Sequence, residues 1–115
     1  MAKPKNVKWS GLLRSKRTGF SYKIFKQDGN VLLAVADKNL LGKDFEQDEL
    51  ILSVPKNFYC DKSCDEKSVV REMKNATIIN AVGKNVIALM LKKELISRDN
   101  ILTVSGVPHA QVVKF

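Results

Sequence analysis

Hydrophobic and polar positions alternate in the first third of the chain after residue 19, which predicts strands. Residues 20–25 alternate between two faces, and one of those faces carries Phe20, Tyr22 and Ile24. Gln27-Asp28-Gly29-Asn30 has the composition of a hairpin turn, because Gly and Asn adopt positive φ at low cost. The nearly all-apolar segment Val31–Asp37 predicts a second, central strand, and Leu50–Val54, which Pro55 ends, predicts a third.

A helical repeat replaces this alternation from about residue 63. Ser63, followed three residues later by Glu66, has the spacing of a capping box and predicts a first helix that continues to about residue 75. Ala76–Ile96 predicts a second helix, because its apolar residues recur near a 3.6-residue period and basic residues suit its last turn. Gly83 interrupts this helix at a cost of about 1 kcal/mol relative to alanine, which close packing against a neighbour would explain.

The chain ends on two further predicted strands, Ile101–Val104 and Ala110–Phe115, joined by residues 105–109. The order is therefore strand-rich, then helical, then strand-rich. This order predicts an α+β fold: a small, mostly antiparallel sheet with two helices packed on one face. We expect residues 20–115 to form a single domain that follows a basic N-terminal arm, residues 1–19.

The net charge of the chain sits in its first fifth. The 115 residues contain 20 Lys and Arg against 12 Asp and Glu, a formal charge of +8. Residues 28–115 are balanced, because every excess cation precedes the first acid, Asp28. A segment with cations and no acid has one common physical use, which is to meet a polyanion. The eight cations of residues 1–27 are Lys3, Lys5, Lys8, Arg14, Lys16, Arg17, Lys23 and Lys26.

RNA is the polyanion that this segment favours. Lys and Arg neutralise phosphates and release counterions, so the log–log salt slope of binding would reach about −7 if all eight engaged a duplex. Trp9 lies among these charges, where it could stack on an exposed base. DNA is less favoured, because no helix-turn-helix or basic-zipper pattern is present. The alternatives are a solvated tail and an arm that binds an acidic protein.

A second candidate is the segment Gly106–Gln111, which contains His109, the only histidine. Gly106 and Pro108 predict a rigid turn, and His109 and Gln111 would share one face of a strand. Histidine can act as an acid or base near neutral pH, but catalysis would also need a nucleophile, an orienting carboxylate or a metal. We therefore expect a structural or recognition role here. The alternative is an enzyme that uses His109 in a pocket near this turn, beside a carboxylate or a thiol.

The two cysteines, Cys60 and Cys64, do not predict a metal site. Zinc needs four ligands, usually from two such pairs, and no second pair exists in the sequence. We expect no metal and no cofactor. In the cytoplasm the two thiols would be free, and the alternative is a disulfide between them under oxidising conditions. No apolar run is long enough to span a bilayer and no secretory segment follows the basic N-terminus, so we expect a cytoplasmic protein without a membrane partner.

Four strings in this sequence together resemble the archaeal family known as domain of unknown function 424. The strings are Leu40-Leu41-Gly42-Lys43 with Phe45, Phe58-Tyr59, Ala76-Thr77-Ile78 with Asn80, Val82 and Gly83, and Gly106-Val107-Pro108-His109-Ala110-Gln111. The resemblance covers about residues 20–115 and implies an archaeal, cytoplasmic α+β protein with no assigned reaction and a setting in the translation apparatus. The basic arm and the pair of cysteines lie outside the family pattern.

These observations predict an RNA-binding module of the archaeal translation apparatus, associated with the ribosome and not an enzyme. The arm would contact the phosphates of structured RNA, with ribosomal RNA as the expected partner and ribosomal proteins as further ones. The motif residues Gly106, Pro108, His109, Gln111 and Asn80 would serve recognition or structure. No small-molecule substrate is expected. A protein-interaction module whose arm binds an acidic partner is the second alternative, beside the His109 enzyme.

Overall fold

The computed structural model describes residues 19–114, which form a six-stranded sheet, a separate two-stranded hairpin and three α-helices. Single 3-10 turns lie at Lys38–Leu40 and Arg98–Asn100. The helices are α1 (Lys56–Tyr59), α2 (Glu66–Asn75) and α3 (Lys84–Lys92). The strands are β1 (Phe20–Gln27), β2 (Asn30–Asp37), β3 (Asp44–Gln47), β4 (Leu50–Ser53), β5 (Lys62–Cys64), β6 (Ile78–Val82), β7 (Ile101–Val104) and β8 (Val107–Val113).

The large sheet has the strand order β5-β1-β2-β6-β8-β7 and is mostly antiparallel. Its parallel pair is β2 with β6, and every other pair described in this sheet is antiparallel. A two-residue turn joins β1 to β2, with positive φ at both Asp28 and Gly29, as the hairpin prediction requires. The predicted α+β fold is confirmed.

The two longer helices pack on one face of this sheet, here called the helix face. Leu33, Ile79 and Ala110 point to this face from three strands, and each is at most 1% exposed. The helices cover them with fully buried side chains, which are Val69 and Met73 of α2 and Val86 and Met90 of α3. The prediction of two helices on one face is thereby confirmed.

The opposite face, here called the second face, is covered only in part. Tyr59 of α1 and Val54 pack with Ala34, Ala36 and Val82 in a smaller cluster. The side chains of the β3–β4 hairpin that join this cluster are Phe45 and Leu52. The second face therefore has its own small core beside an uncovered part of the sheet, where the candidate site lies.

The predicted helix Ala76–Ile96 is wrong in its first half. Ile78–Val82 is strand β6, and the helix begins only at Lys84. Because β6 is central, apolar residues lie on both of its faces and the two-residue alternation is hidden, so the segment mimics a buried helix. Gly83 separates the two elements with a φ of 123°.

The predicted capping box at Ser63 is also wrong. Asp65 is the N-cap of α2, and its carboxylate accepts a hydrogen bond from the backbone N–H of Ser68 at 2.9 Å. Ser63 instead lies in the short edge strand β5, which pairs with the start of β1. An aspartate provides the same cap as a serine, and the pairing of β5 depends on a partner far away in the sequence.

Candidate nucleic-acid interface

Strands β6 and β8 bring two of the sequence motifs together on the second face. Asn80 and Gln111 are directly opposite each other across these strands. His109 lies two residues before Gln111 on β8 and therefore on the same face. The side chain of Gln111 is exposed, whereas those of Asn80 and His109 are half-buried.

The Asn80 carboxamide is the centre of a hydrogen-bonded cluster. Its Oδ1 accepts a hydrogen bond from the Tyr59 hydroxyl at 2.8 Å and lies 2.8 Å from Nε2 of His109. Since a carboxamide oxygen only accepts, Nε2 of His109 carries the proton and Nδ1 is left as an acceptor. No residue among 19–114 donates a hydrogen bond to this Nδ1.

Burial sets the protonation states of this cluster. It lowers the pKa of His109 below its ordinary value of 6.5, so that the neutral imidazole prevails at neutral pH. It also raises the pKa of Tyr59 to about 12, which keeps the hydroxyl protonated as a donor. The neutral cluster therefore offers hydrogen bonds without fixed charge.

Helix α1 places Tyr59 in this cluster, and β1 holds the helix. The buried Ser21 hydroxyl donates to the backbone oxygen of Tyr59 at 3.0 Å. The Lys23 ammonium donates to the backbone oxygen of Asn57 at 3.0 Å. Sequence reasoning did not assign Tyr59 to the site. The signal that could have found it is the Phe58-Tyr59 string within the family resemblance.

An apolar row of side chains runs beside the cluster across four strands. Cross-strand pairing places Val113, Ile78, Leu32 and Phe25 next to one another on the second face. Val113 is 48% exposed, and the other three are half-buried. A shallow cavity of about 320 Å³ lies over Ile78, Leu32 and Phe25 and extends to the β1–β2 turn. We call this row, together with Asn80, His109 and Gln111, the open strip.

The aromatic end of the open strip is already packed. The rings of Phe25 and Phe58 stack with centroids 5.2 Å apart. The Lys23 ammonium lies 5.2 Å from the centroid of Phe25. These contacts place a positive charge beside the apolar row.

Gly106 and Pro108, the remaining candidate residues of the Gly106–Gln111 motif, have structural roles. Ser105 and Gly106 both adopt positive φ in the tight β7–β8 turn, and the Ser105 N–H donates to Oε1 of Gln47 at 2.7 Å. The carbonyl of Pro108 accepts a hydrogen bond from the N–H of Gly83 at 2.9 Å. Strand β8 begins at Val107, three residues earlier than predicted.

Asp37 explains the conformation around Gly83. The residue is 4% exposed, and its carboxylate accepts hydrogen bonds from the backbone N–H groups of Asn85 and Val86, both at 2.9 Å, at the start of α3. A Cβ on Gly83 would collide with this carboxyl group. Burial raises the pKa of Asp37, and the two amide hydrogen bonds oppose this rise. The group is a structural cap for α3.

Most of the predicted arm contacts lie outside the described residues, namely Lys3, Lys5, Lys8, Trp9, Arg14, Lys16 and Arg17. Lys23 and Lys26 belong to β1, and no acid within residues 19–114 forms an ion pair with either of them. The ion pair found in that part of the chain joins Arg71 and Glu72 at 3.8 Å. Gly19, whose carbonyl accepts from the N–H of Lys38 at 3.0 Å, marks where the chain enters the sheet.

The two cysteines are not part of the hydrogen-bonded cluster of Asn80, Tyr59 and His109. Cys60 is exposed, Cys64 is half-buried, and both are free. Burial raises the pKa of Cys64 to about 11, with the charges of Asp65 and Glu72 acting in the same direction. The hydrogen-bond partner of His109 is the amide of Asn80, not a thiol or a carboxylate. Within residues 19–114, no three His, Cys, Asp or Glu side chains are grouped to hold a metal ion.

None of the helices described between residues 19 and 114 has both the length and the apolar character needed to cross a membrane.

Comparison with known proteins identifies the family and supports the fold. The fold is similar to a crystal structure of an uncharacterized conserved protein from Methanopyrus kandleri, with a TM-score of 0.71 and 24% sequence identity over 84% of this chain and 94% of that chain. No curated protein matches the sequence significantly. Residues 25–115 match the family described as Protein of unknown function (DUF424). The chain therefore belongs to the DUF424 family.

Proposed function

We propose that this protein is an RNA-binding module of the archaeal translation apparatus, which acts in the cytoplasm in association with the ribosome. In this proposal the basic arm supplies most of the affinity by contacting ribosomal RNA phosphates. The sheet domain adds a face that fits the folded RNA. The carrying observation is the charge segregation, because residues 1–27 contain eight cations and no acid, whereas the rest of the chain is balanced.

The contacts of Lys23 and Lys26 on β1 are consistent with a basic segment that binds phosphates. Lys26 is exposed, and the Lys23 ammonium binds a neutral backbone carbonyl rather than a carboxylate. Their charges are therefore not neutralised by acids of residues 19–114. Unneutralised cations release phosphate counterions on binding, which makes affinity strongly dependent on salt.

The test compares two full-length variants of equal charge. One carries Lys3, Lys5, Lys8, Arg14, Lys16 and Arg17 changed to glutamine. The other carries the same change at six exposed lysines of the domain, which are Lys43, Lys56, Lys67, Lys74, Lys84 and Lys93. Each variant loses six of the eight net charges, so the two differ only in where the charge was removed.

Binding to purified ribosomal subunits and to protein-free ribosomal RNA would be measured from 50 to 200 mM salt. We expect the arm variant to lose affinity and to reduce the log–log salt slope by up to about 5, and the domain variant to change much less. Equal losses in both variants would show that net charge alone matters and would contradict the proposal. Crosslinking in native lysate, followed by sequencing of the bound RNA, would identify the RNA.

A further inference from the structure

The open strip joins hydrogen-bonding side chains to a row of apolar side chains under a shallow cavity, and this combination suits an unpaired RNA base. We propose that the strip binds such a base, with the face of the base on Ile78 and Leu32 and its edge against Asn80, His109 and Gln111. This inference rests on the proposed function and extends it from phosphate contact by the arm to base contact by the sheet.

The polar side of the strip offers one donor and one acceptor, on two side chains that a hydrogen bond joins. Asn80 Oδ1 already accepts two hydrogen bonds, from Tyr59 and His109, so the free capacity of this carboxamide is its NH₂ group. The neighbouring His109 offers Nδ1 as an acceptor. Every nucleobase presents a donor next to an acceptor on its edge, and therefore this pair suits a base in general. Gln111, opposite Asn80 and exposed, adds an adaptable amide.

The apolar side of the strip supplies the surface on which a base would lie. Ile78 and Leu32 are neighbours in the parallel β2–β6 pair, half-buried beneath the shallow cavity of about 320 Å³. Phe25 closes one end and is itself packed against Phe58, so it bounds the surface. Lys23 places its ammonium at that end, where a backbone phosphate would be attracted. Because the chain has a net charge of +8, RNA is favoured as the occupant over a peptide poor in acidic residues or a second copy of this chain. The one acid among the residues that line the cavity is Asp28, at the β1–β2 turn.

His109 is the sole histidine, so its imidazole signals report on the strip without ambiguity. The experiment titrates full-length, ¹⁵N-labelled protein with three eight-nucleotide probes: oligouridylate, oligoadenylate, and an abasic strand with the same number of phosphates. Before any addition, the imidazole nitrogens should show the Nε2–H tautomer. The two strands with bases should shift Nδ1 of His109, and the abasic strand should not.

Affinities of a strip variant and a control separate the possible outcomes. Gln111→Ala removes an exposed amide without touching the core, and we expect a threefold to tenfold loss of affinity for the strands with bases and no change for the abasic strand. The matched control, Thr103→Ala on edge strand β7, should change neither. Asn80→Ala should lose at least as much as Gln111→Ala, with the folded state checked by its NMR spectrum.

Failure of this inference is distinguishable from failure of the proposed function. If all three probes bind alike and leave His109 and the Gln111 variant unaffected, the arm binds phosphates and the strip does not bind bases. If no probe binds and the ribosomal RNA titration is also silent, both proposals are wrong. A shift of His109 that depends on protein concentration alone would mark the strip as a contact between copies and would overturn the inference.

Discussion

The Asn80 carboxamide of β6 binds side chains from two other elements of the fold. Its Oδ1 holds the hydroxyl of Tyr59 from α1 and the imidazole of His109 from β8, each at 2.8 Å. Both partners are kept neutral by burial, so the cluster is ordered by hydrogen bonds and not by ion pairs. Such a cluster positions its open donor and acceptor before a ligand arrives, which reduces the entropy lost on binding.

The lowered pKa of His109 should make the stability of the fold depend on pH. The unfolded chain binds a proton near pH 6.5 and the folded chain only at lower pH, so protonation favours unfolding. The stability that the neutral imidazole provides is fully present above about pH 7. It declines as the pH falls through 6.5, and the free energy of unfolding stops changing below the pKa of the folded state. Urea unfolding of the wild type and of His109→Gln from pH 5 to 7.5 would measure it. A wild-type curve parallel to that of the variant would contradict the prediction.

Position 83 should tolerate no residue other than glycine. Its φ of 123° disfavours any side chain, and a Cβ would collide with the buried Asp37 carboxyl group. We expect Gly83→Ala to reduce the free energy of unfolding by about 3 kcal/mol, because strain and a steric clash act together. Gly106→Ala is the control, because φ is 83° there but no atom lies within 4 Å of the added Cβ. We expect Gly106→Ala to reduce the free energy of unfolding by about 1 kcal/mol. Equal losses in the two variants would show that the Asp37 side chain moves away from the added Cβ, and would contradict the prediction.

Helix α3 depends on a residue of strand β2 for its N-terminal cap. Asp37 ends β2 and accepts the N–H groups of Asn85 and Val86, so the carboxylate joins the central strand to the helix. The sequence could not predict this cap, because 48 residues separate Asp37 from Asn85. The local cap of α2, by contrast, lies within one turn at Asp65.

Amide substitutions at these two caps should have different effects. In Asp37→Asn, one side of the carboxamide is an NH₂ group that faces a backbone donor, so one hydrogen bond and the charge near the helix N-terminus are lost. We expect a loss of about 1–3 kcal/mol in the free energy of unfolding and faster hydrogen exchange at Asn85 and Val86. Asp65→Asn at the exposed cap should change stability by less than about 0.5 kcal/mol, because asparagine caps helices as well as aspartate. Similar losses for both variants would mean that burial of the Asp37 cap is unimportant.

Elements were predictable from the sequence where the signal is local. The β1–β2 hairpin follows from an alternating strand and an Asp-Gly turn, and β7 from a short β-branched run. The sequence does not predict strand β6, because apolar residues lie on both of its faces and its pairing depends on β2 and β8. For the same reason, sequence alone suggested His109 and Asn80 as separate candidates but not their contact, which the β6–β8 register creates across 29 residues.

In the whole molecule, the residues that maintain the fold and most of the cations that we propose to bind RNA lie in different parts of the chain. The domain has two buried clusters, one on each face of the sheet, and one ion pair within residues 19–114, between the exposed Arg71 and the half-buried Glu72. A single ion pair near the surface contributes about 0–1 kcal/mol, so hydrophobic burial and backbone hydrogen bonds maintain the fold. Six of the eight cations that precede the first acid come before the domain in the sequence, and the other two, Lys23 and Lys26, lie on β1.

This separation predicts that salt weakens RNA binding without weakening the fold. Raising NaCl from 50 to 200 mM should reduce the affinity for ribosomal RNA by about a thousandfold or more if six or more phosphate contacts form. The same change should move the melting temperature by no more than a few degrees, because screening affects few stabilising charges. Melting curves and affinities recorded on the same samples would test both halves. A melting temperature that fell in step with the affinity would mean that salt acts through the folded state, and the salt slope could then not be assigned to phosphate contacts of the arm.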